Sequence, residues 1–279
     1  MNDHATPIPT PKVSFEYARS WLLIAANDLD LYEPGFASRA DVVILDLEDG
    51  VAAPDKPNSR SHVAERLRTG HRAWVRINDA ESTFWSDDLA ELGDMPGLAG
   101  VVLAKTEHGD QVDATAARLP RALPIVALIE SAAGLEAAAD IAARTATSRL
   151  AFGSGDFRRD TGISDDPLTM LYPRCRLTVA SRAAGLPGPI DGPTVSRDLE
   201  ALETETGHAA AAGMTGRLCL RPEQTGVVDR LLSPSRAEVD WAREFLDQHT
   251  QDPTPVRDGS HLPRLARATK LVELARIYT

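Results

Sequence analysis

Cysteine is scarce. The 279-residue chain carries two, Cys175 and Cys219, and neither stands in a C-x-x-C pattern. Neither a disulfide framework nor a structural zinc site is expected on that count. Long apolar runs are missing too: nothing approaches the ~20 consecutive apolar residues of a membrane span. The opening residues 1–11 are polar and proline-rich, without the apolar core of a secretion signal. The expectation is therefore a cytoplasmic protein with a frayed start. Positive charge is in deficit, with a formal net charge of −11. An acidic chain of this kind does not draw nucleic acid or an anionic membrane by its overall field, so neither is expected as a partner. No glycine-rich phosphate turn follows the first apolar run, where the chain reads Ile24-Ala-Ala-Asn27. That absence disfavours an open doubly wound nucleotide-binding sheet.

What is present is a repeated alternation. Short runs rich in Val, Ile and Leu predict strands at residues 20–25, 42–46, 73–77, 100–103, 125–129, 150–152, 189–190 and 216–220, the seventh being weak. They lack strict polar alternation, as strands buried on both faces do. Amphipathic or alanine-rich stretches lie between them, at 134–143, 167–184 and 197–212 among others, the last stopped by Gly213. Eight β-then-α units in a chain of this length predict one (β/α)8 TIM barrel, a fold of about 250 residues. The expected layout is a flexible N-terminus over 1–14, a barrel over 15–232 and a C-terminal helical extension over 233–279. In that extension Ser235 and Glu238 have the spacing of a capping box, residues 251–259 read as a linker, and a last helix is expected over 262–278.

Polar residues gather just after the predicted strands. The second ends in Asp46-Leu-Glu48-Asp49 and the third in Arg76-Ile-Asn78. Lys105 follows the fourth, Glu130 the fifth, Gly153-Ser-Gly-Asp156 the sixth, Asp191 the seventh and Arg221 the eighth. In a β/α barrel these positions converge on the catalytic rim. Glu130 and Asp156 are hard oxygen ligands on adjacent strands and suit Mg²⁺, with Mn²⁺ as a substitute, better than zinc. Arg76 offers a planar charge for a substrate carboxylate. Gly153 and Gly155 let a loop come close to a ligand. Plainer readings stand beside these. Asp156 could cap a helix, Arg76 could sit in a buried ion pair, and Lys105 could line the mouth without a role. Cys219, inside Leu218-Cys-Leu220, is expected in the core.

At these residues the sequence resembles the citrate lyase beta-chain group of the HpcH/HpaI aldolase superfamily. The matching segments are Arg19-Ser-Trp-Leu-Leu23, Ala40-Asp-Val-Val-Ile-Leu-Asp-Leu-Glu-Asp-Gly-Val51, Val75-Arg-Ile-Asn78, Leu128-Ile-Glu-Ser131 with Gly134, Gly153-Ser-Gly-Asp156, and Gly213-Met-Thr-Gly-Arg217 leading to Pro222-Glu-Gln224. The resemblance implies a Mg²⁺-dependent lyase that assembles as a trimer or hexamer. It cleaves, or forms, β-hydroxyacyl thioesters such as citryl-, malyl- or citramalyl-CoA. It makes Glu130 and Asp156 the metal ligands and Arg76 the anchor of the keto-acid carboxylate. Glu48 and Asp49 become the groups that hold water around the ion. Lys56 and Arg60 become candidate contacts to CoA phosphates.

Relatives often carry a catalytic Asp in a G-x-M-[IV]-D-x-P run near the C-terminus. Here the segment reads Asp258-Gly-Ser-His-Leu-Pro263, and Asp258 and His261 are the residues at hand to replace that Asp. Two further functions therefore stay open: a CoA-independent metal-dependent aldolase using pyruvate or oxaloacetate, and a keto-acid- or acyl-CoA-binding subunit without turnover.

Overall fold

The apolar runs form eight strands: β1 Ser20–Ala25, β2 Val42–Asp46, β3 Ala73–Ile77, β4 Leu98–Leu103, β5 Ile125–Ile129, β6 Thr147–Phe152, β7 Ile190–Asp191 and β8 Gly216–Cys219. Each pairs in parallel with the next, and β8 returns to β1, closing a barrel. The computed structural model describes residues 13–251 and 259–278. Helices cover the outer faces of the strands, which is why β3 and β5 are buried at every residue.

Two strands begin earlier than their apolar runs suggest, and one is very short. β6 takes in Arg149, a charged residue that reads as a boundary but is fully buried. β4 takes in Leu98 and the half-buried Ala99. β7 has two residues. It follows Pro187-Gly-Pro189, and proline has no N–H to give a ladder. The alanine-rich stretch after β5 is two short helices, Ala132–Glu136 and Ala138–Ala143, which share Ala137 as a cap. Gly213 ends the helix Leu199–Ala211 with φ +89°, a left-handed turn that suits glycine.

The inward-facing residues of the barrel include Trp21, Val42, Ile44, Trp74, Val126 and Leu128. Trp21 and Trp74 meet edge to face with ring centroids 5.1 Å apart. Trp74 fits because β4 has Gly100 beside it: a Cβ there would lie 2.6 Å from the indole. The N-terminal end of the barrel is sealed by Arg149. Its guanidinium donates to the carbonyls of Phe15, Ala18 and Gly188 and to the Thr215 hydroxyl, at 2.7–3.0 Å. The opposite end, where the strands finish, is left for chemistry.

Residues up to Val228 make one compact unit and those from Asp229 a second. The second unit is a pair of helices, Arg236–Gln251 and His261–Ile277. The first opens on the expected capping box: Ser235 accepts from the Glu238 N–H at 3.2 Å and Glu238 accepts from the Ser235 N–H at 3.0 Å.

Arg149→Met is expected to leave several buried carbonyls unpaired and to lower unfolding stability by about 3 kcal/mol. Urea unfolding followed by circular dichroism checks this, and an unchanged midpoint would show that the seal does not depend on the guanidinium.

Candidate active site

The rim begins with one register pair. Asp46 ends β2 directly opposite Arg76 of β3. Their side chains lock as a fork: Nε of Arg76 donates to Asp46 Oδ1 at 2.6 Å and Nη2 to Oδ2 at 2.7 Å. The same two oxygens accept the backbone N–H groups of Glu48 (2.9 Å) and Gly50 (3.0 Å). One carboxylate thus fixes both the arginine and the turn that carries Glu48 and Asp49. A Cβ on Gly50 would stand 2.5 Å from Asp46 Oδ2, so the turn needs glycine at this close approach. Arg76 keeps Nη1 toward the mouth, 3.4 Å from Glu48 Oε2.

Glu130 is buried just past β5. Its Oε1 accepts the backbone N–H of Lys105 at 2.7 Å. Lys105 is the one non-glycine residue with positive φ among the described residues, at +48°. Its ammonium contacts Glu48 Oε1 and lies 3.2 Å from Asp49 Oδ1. Asp156 sits in the first turn of the helix Ser154–Thr161, where the helix dipole favours an acid. Its carboxyl lies within hydrogen-bonding reach of Asp49. Glu48, Asp49, Glu130 and Asp156, from the ends of β2, β5 and β6, therefore share one mouth with Arg76 and Lys105.

So many acids in one place shift one another. Burial, against the pull of Arg76 and with the repulsion of Glu48 and Asp156, pushes Glu130 up to about 8. Burial and the adjoining Asp49 carboxyl also push Asp156 up. A carboxylate cluster that resists carrying its full charge is a natural seat for a cation. The donor set is all oxygen, and no three His, Cys, Asp or Glu side chains among the described residues make a ready cage. That combination fits Mg²⁺, which takes one or two carboxylates and leaves other positions to water and substrate. Gly153 adds to the fit: a Cβ there would lie 2.4 Å from Glu130 Oε2, so its absence leaves the carboxylate free to face the mouth.

Residues 19–222 match the family model described as HpcH/HpaI aldolase/citrate lyase, and residues 237–279 match the HpcH/HpaI aldolase C-terminal domain. The chain belongs to the HpcH/HpaI aldolase/citrate lyase family. It is a lyase of that family. A citrate lyase subunit beta-like protein of Deinococcus radiodurans is 32% identical over 242 residues, 82% of this chain and 84% of the relative. A (3S)-malyl-CoA thioesterase of Cereibacter sphaeroides is 30% identical over 271 residues, 92% of this chain and 94% of the relative. The crystal structure of CitE from Mycobacterium tuberculosis in complex with magnesium, acetoacetate and coenzyme A superposes with a TM-score of 0.79 at 29% identity. It covers 94% of this chain and 99% of that one.

Not every residue that the sequence of this HpcH/HpaI member singled out reaches the mouth as a free group. Lys56 is buried, and its ammonium donates to the carbonyls of Leu47 and Glu48 and to Asn78 Oδ1, all at 2.7 Å. A lysine has three donors, so none is left for a phosphate. Arg60, one turn along the same helix, is buried against Asp88 at 2.7 Å. Asp88 in turn accepts from the backbone and side-chain nitrogens of Asn78. Both cations support the rim from beneath, so neither is turned toward a CoA phosphate in this structure. Asp191 is likewise enclosed, by Arg174 at 3.0 Å and Arg217 at 2.5 Å. Arg221 donates to the carbonyls of Val195 and Ser196. Gly155 is exposed in the first helical turn, not in a loop, and nothing lies within 4 Å of where its Cβ would be. His261 faces His249, with ring nitrogens 3.3 Å apart, in the second unit. Asp258 lies outside the described residues.

Two participants carry more than the sequence reading assigned them. Asp46 is the partner of Arg76, and a carboxylate ending a wholly apolar run was the sign of it. Lys105 grips three of the four acids of the mouth, and the sequence shows only a lysine after an apolar strand.

Gly153→Ala is expected to press on Glu130 and to weaken Mg²⁺ binding by about 10- to 100-fold, the usual range when a group supporting a ligand is disturbed. Calorimetric titration with MgCl2 measures it; equal affinity in the two proteins would show that Glu130 does not need that space.

Proposed function

We propose that this chain is a Mg²⁺-dependent carbon–carbon lyase that cleaves, or forms, a short β-hydroxyacyl-CoA such as citryl-, malyl- or citramalyl-CoA, giving an acyl-CoA and a keto acid. The observation that carries the reading is the convergence of Glu130, Asp156 and Arg76 on one rim. Glu130 and Asp156 would hold the ion. When bound, Mg²⁺ supplies Lewis-acid polarisation of the substrate carboxylate and the neighbouring hydroxyl or keto oxygen. Arg76, held rigid by Asp46, keeps Nη1 for the substrate carboxylate and stabilises charge on the keto-acid side. Glu48 and Asp49 order water at the mouth. In the cleavage direction the hydroxyl proton leaves as the keto group forms. The bond to the carbon beside the thioester breaks, and its electron pair stays on that carbon as an enolate, which takes up a proton to give the acyl-CoA.

The burial of Lys56 and Arg60 favours a second reading, a CoA-independent aldolase in which pyruvate or oxaloacetate is the partner held at the ion. The C. sphaeroides relative, by its name, hydrolyses a malyl thioester, so the products separate the readings. Malyl-CoA or citramalyl-CoA incubated with the protein and Mg²⁺ is expected to yield a keto acid and a shorter acyl-CoA, resolved by chromatography. Free CoA with an intact hydroxy acid would mean hydrolysis instead. Turnover of pyruvate with an aldehyde, but of no thioester, would establish the second reading. No turnover of any of these would leave a binding subunit.

Glu130→Gln and Asp156→Asn are expected to abolish Mg²⁺-dependent turnover. Arg76→Lys, which loses the planar fork, is expected to weaken keto-acid binding by about tenfold or more. Equal keto-acid affinity in Arg76→Lys would remove Arg76 as the anchor.

The same reading takes the protein as a cytoplasmic homo-oligomer, a trimer or hexamer. No helix among the described residues is long and apolar enough to cross a membrane. Leu171, Tyr172 and Val179 are exposed on the helix Leu171–Ala183, with the exposed Leu168 in the turn before it, and offer apolar surface for self-association. Sedimentation equilibrium showing the mass of a single chain would exclude it.

A further inference from the structure

We propose that Lys105 is a built-in counter-charge that sets the cation affinity of the acidic mouth, holding Mg²⁺ binding weaker than the four carboxylates alone would make it. The inference rests on the metal reading of Glu130 and Asp156 and goes beyond it.

The charge balance of the mouth motivates it. Four carboxylates face inward: Glu48, Asp49, Glu130 and Asp156. Of the cations nearby, Arg76 is committed through its fork to a fifth carboxylate, Asp46, with Nη1 3.4 Å from Glu48, and the largely exposed Arg159 meets Asp156 at 3.1 Å. The Lys56 ammonium is spent on two carbonyls and an amide beneath the rim. Lys105 is the cation that reaches three of the four, Glu48 and Asp49 through its ammonium and Glu130 through its N–H. Its ammonium bridges Glu48 and Asp49, and Asp49 adjoins Asp156. The positive charge therefore stands one carboxylate away from one ion ligand, while the backbone of the same residue holds the other, Glu130.

The backbone conformation argues that this placement is specific. A side chain at φ +48° costs free energy that glycine would not incur. Glycine would keep the N–H on Glu130 and lose the ammonium. A lysine under strain is what a site requires when it uses both ends of the residue.

The consequence has a sign. If Lys105 only braced the acids, its loss would loosen them and weaken cation binding or leave it unchanged. As a counter-charge, its loss exposes one more net negative charge to the ion. A unit charge a few ångström from a divalent ion, even screened as in bulk water, changes affinity by about tenfold.

Calorimetric titration of the full chain with MgCl2 tests this in wild type, Lys105→Met, Lys105→Gly and Lys105→Arg. Lys105→Met and Lys105→Gly are expected to bind Mg²⁺ about tenfold more tightly than wild type, and Lys105→Arg to stay within about twofold of it. Lys105→Gly relieves the left-handed backbone and keeps the N–H, so it reports even if Lys105→Met fails to fold. Wild type that binds Mg²⁺, with Met and Gly variants that bind no more tightly, overturns the proposal and leaves the metal reading standing. Wild type that binds no Mg²⁺, alone or with pyruvate, overturns both.

Discussion

Asp46 and Arg76 face one another across the β2–β3 register, and the rest of the mouth is built on that contact. A buried ion pair is costly unless the spare hydrogen-bonding capacity of both partners is used. Here Asp46 also accepts the N–H groups of Glu48 and Gly50. Desolvating the pair therefore also shapes the turn that delivers Glu48 and Asp49. The arginine, with two nitrogens pinned, has little rotamer freedom left to lose, the preorganisation that its proposed role as carboxylate anchor would use.

The layer beneath serves the same end. Lys56 ties the carbonyls of Leu47 and Glu48 to Asn78, Asn78 is held by Asp88, and Asp88 by Arg60. This chain of charge-assisted bonds joins the helix after β2 to the ends of β2 and β3. It carries the acidic turn on a rigid support, as a site that must place oxygens accurately requires. At the other end of the barrel Arg149 and the Trp21–Trp74 contact close the interior, so the strand ends that carry the acids are the open ones.

Most of this frame is legible in the residues. The bounds of β1, β2, β3 and β5 coincide with those read from the sequence, because strands covered on both faces are mostly apolar, here broken only by Ser20, Asp46 and Arg76. The strand-end acids and Arg76 were legible for the same reason: a charge in or just after the last residues of such a strand lies toward the barrel rim. β7 was the faintest, read at 189–190 and found at Ile190–Asp191, since Pro187 and Pro189 leave it two residues of pairing. Lys56 and Arg60 were read as phosphate contacts because they are cations after an acidic motif. Yet their spacing to Val63, Ala64 and Leu67 places them on the buried stripe of the helix Lys56–Arg68, and that pattern was there to be read. The left-handed backbone of Lys105 has no such trace, because φ at one lysine is decided by the partners of its N–H and ammonium, all distant in sequence.

The electrostatics of the mouth bear on selectivity as well as on binding. The acids are too few in any one geometry to cage an ion among the described residues, yet they are crowded enough for burial and mutual repulsion to push Glu130 up to about 8. On the proposed metal reading, such a site would leave the positions its acids cannot fill to oxygens from elsewhere. An α-keto or α-hydroxy carboxylate presents two such oxygens at a fixed separation, with its charge turned toward Arg76. On that reading ion and substrate would each improve the seat of the other, and by linkage the coupling would be equal in both directions. The chain owns few lysines, four against twenty-six arginines, and two of the four lie at this rim. An ammonium is a compact point charge on a flexible stem, whereas a guanidinium is a planar fork. Lysine sits where charge must be placed among oxygens, and arginine at Arg76, where a planar carboxylate must be met.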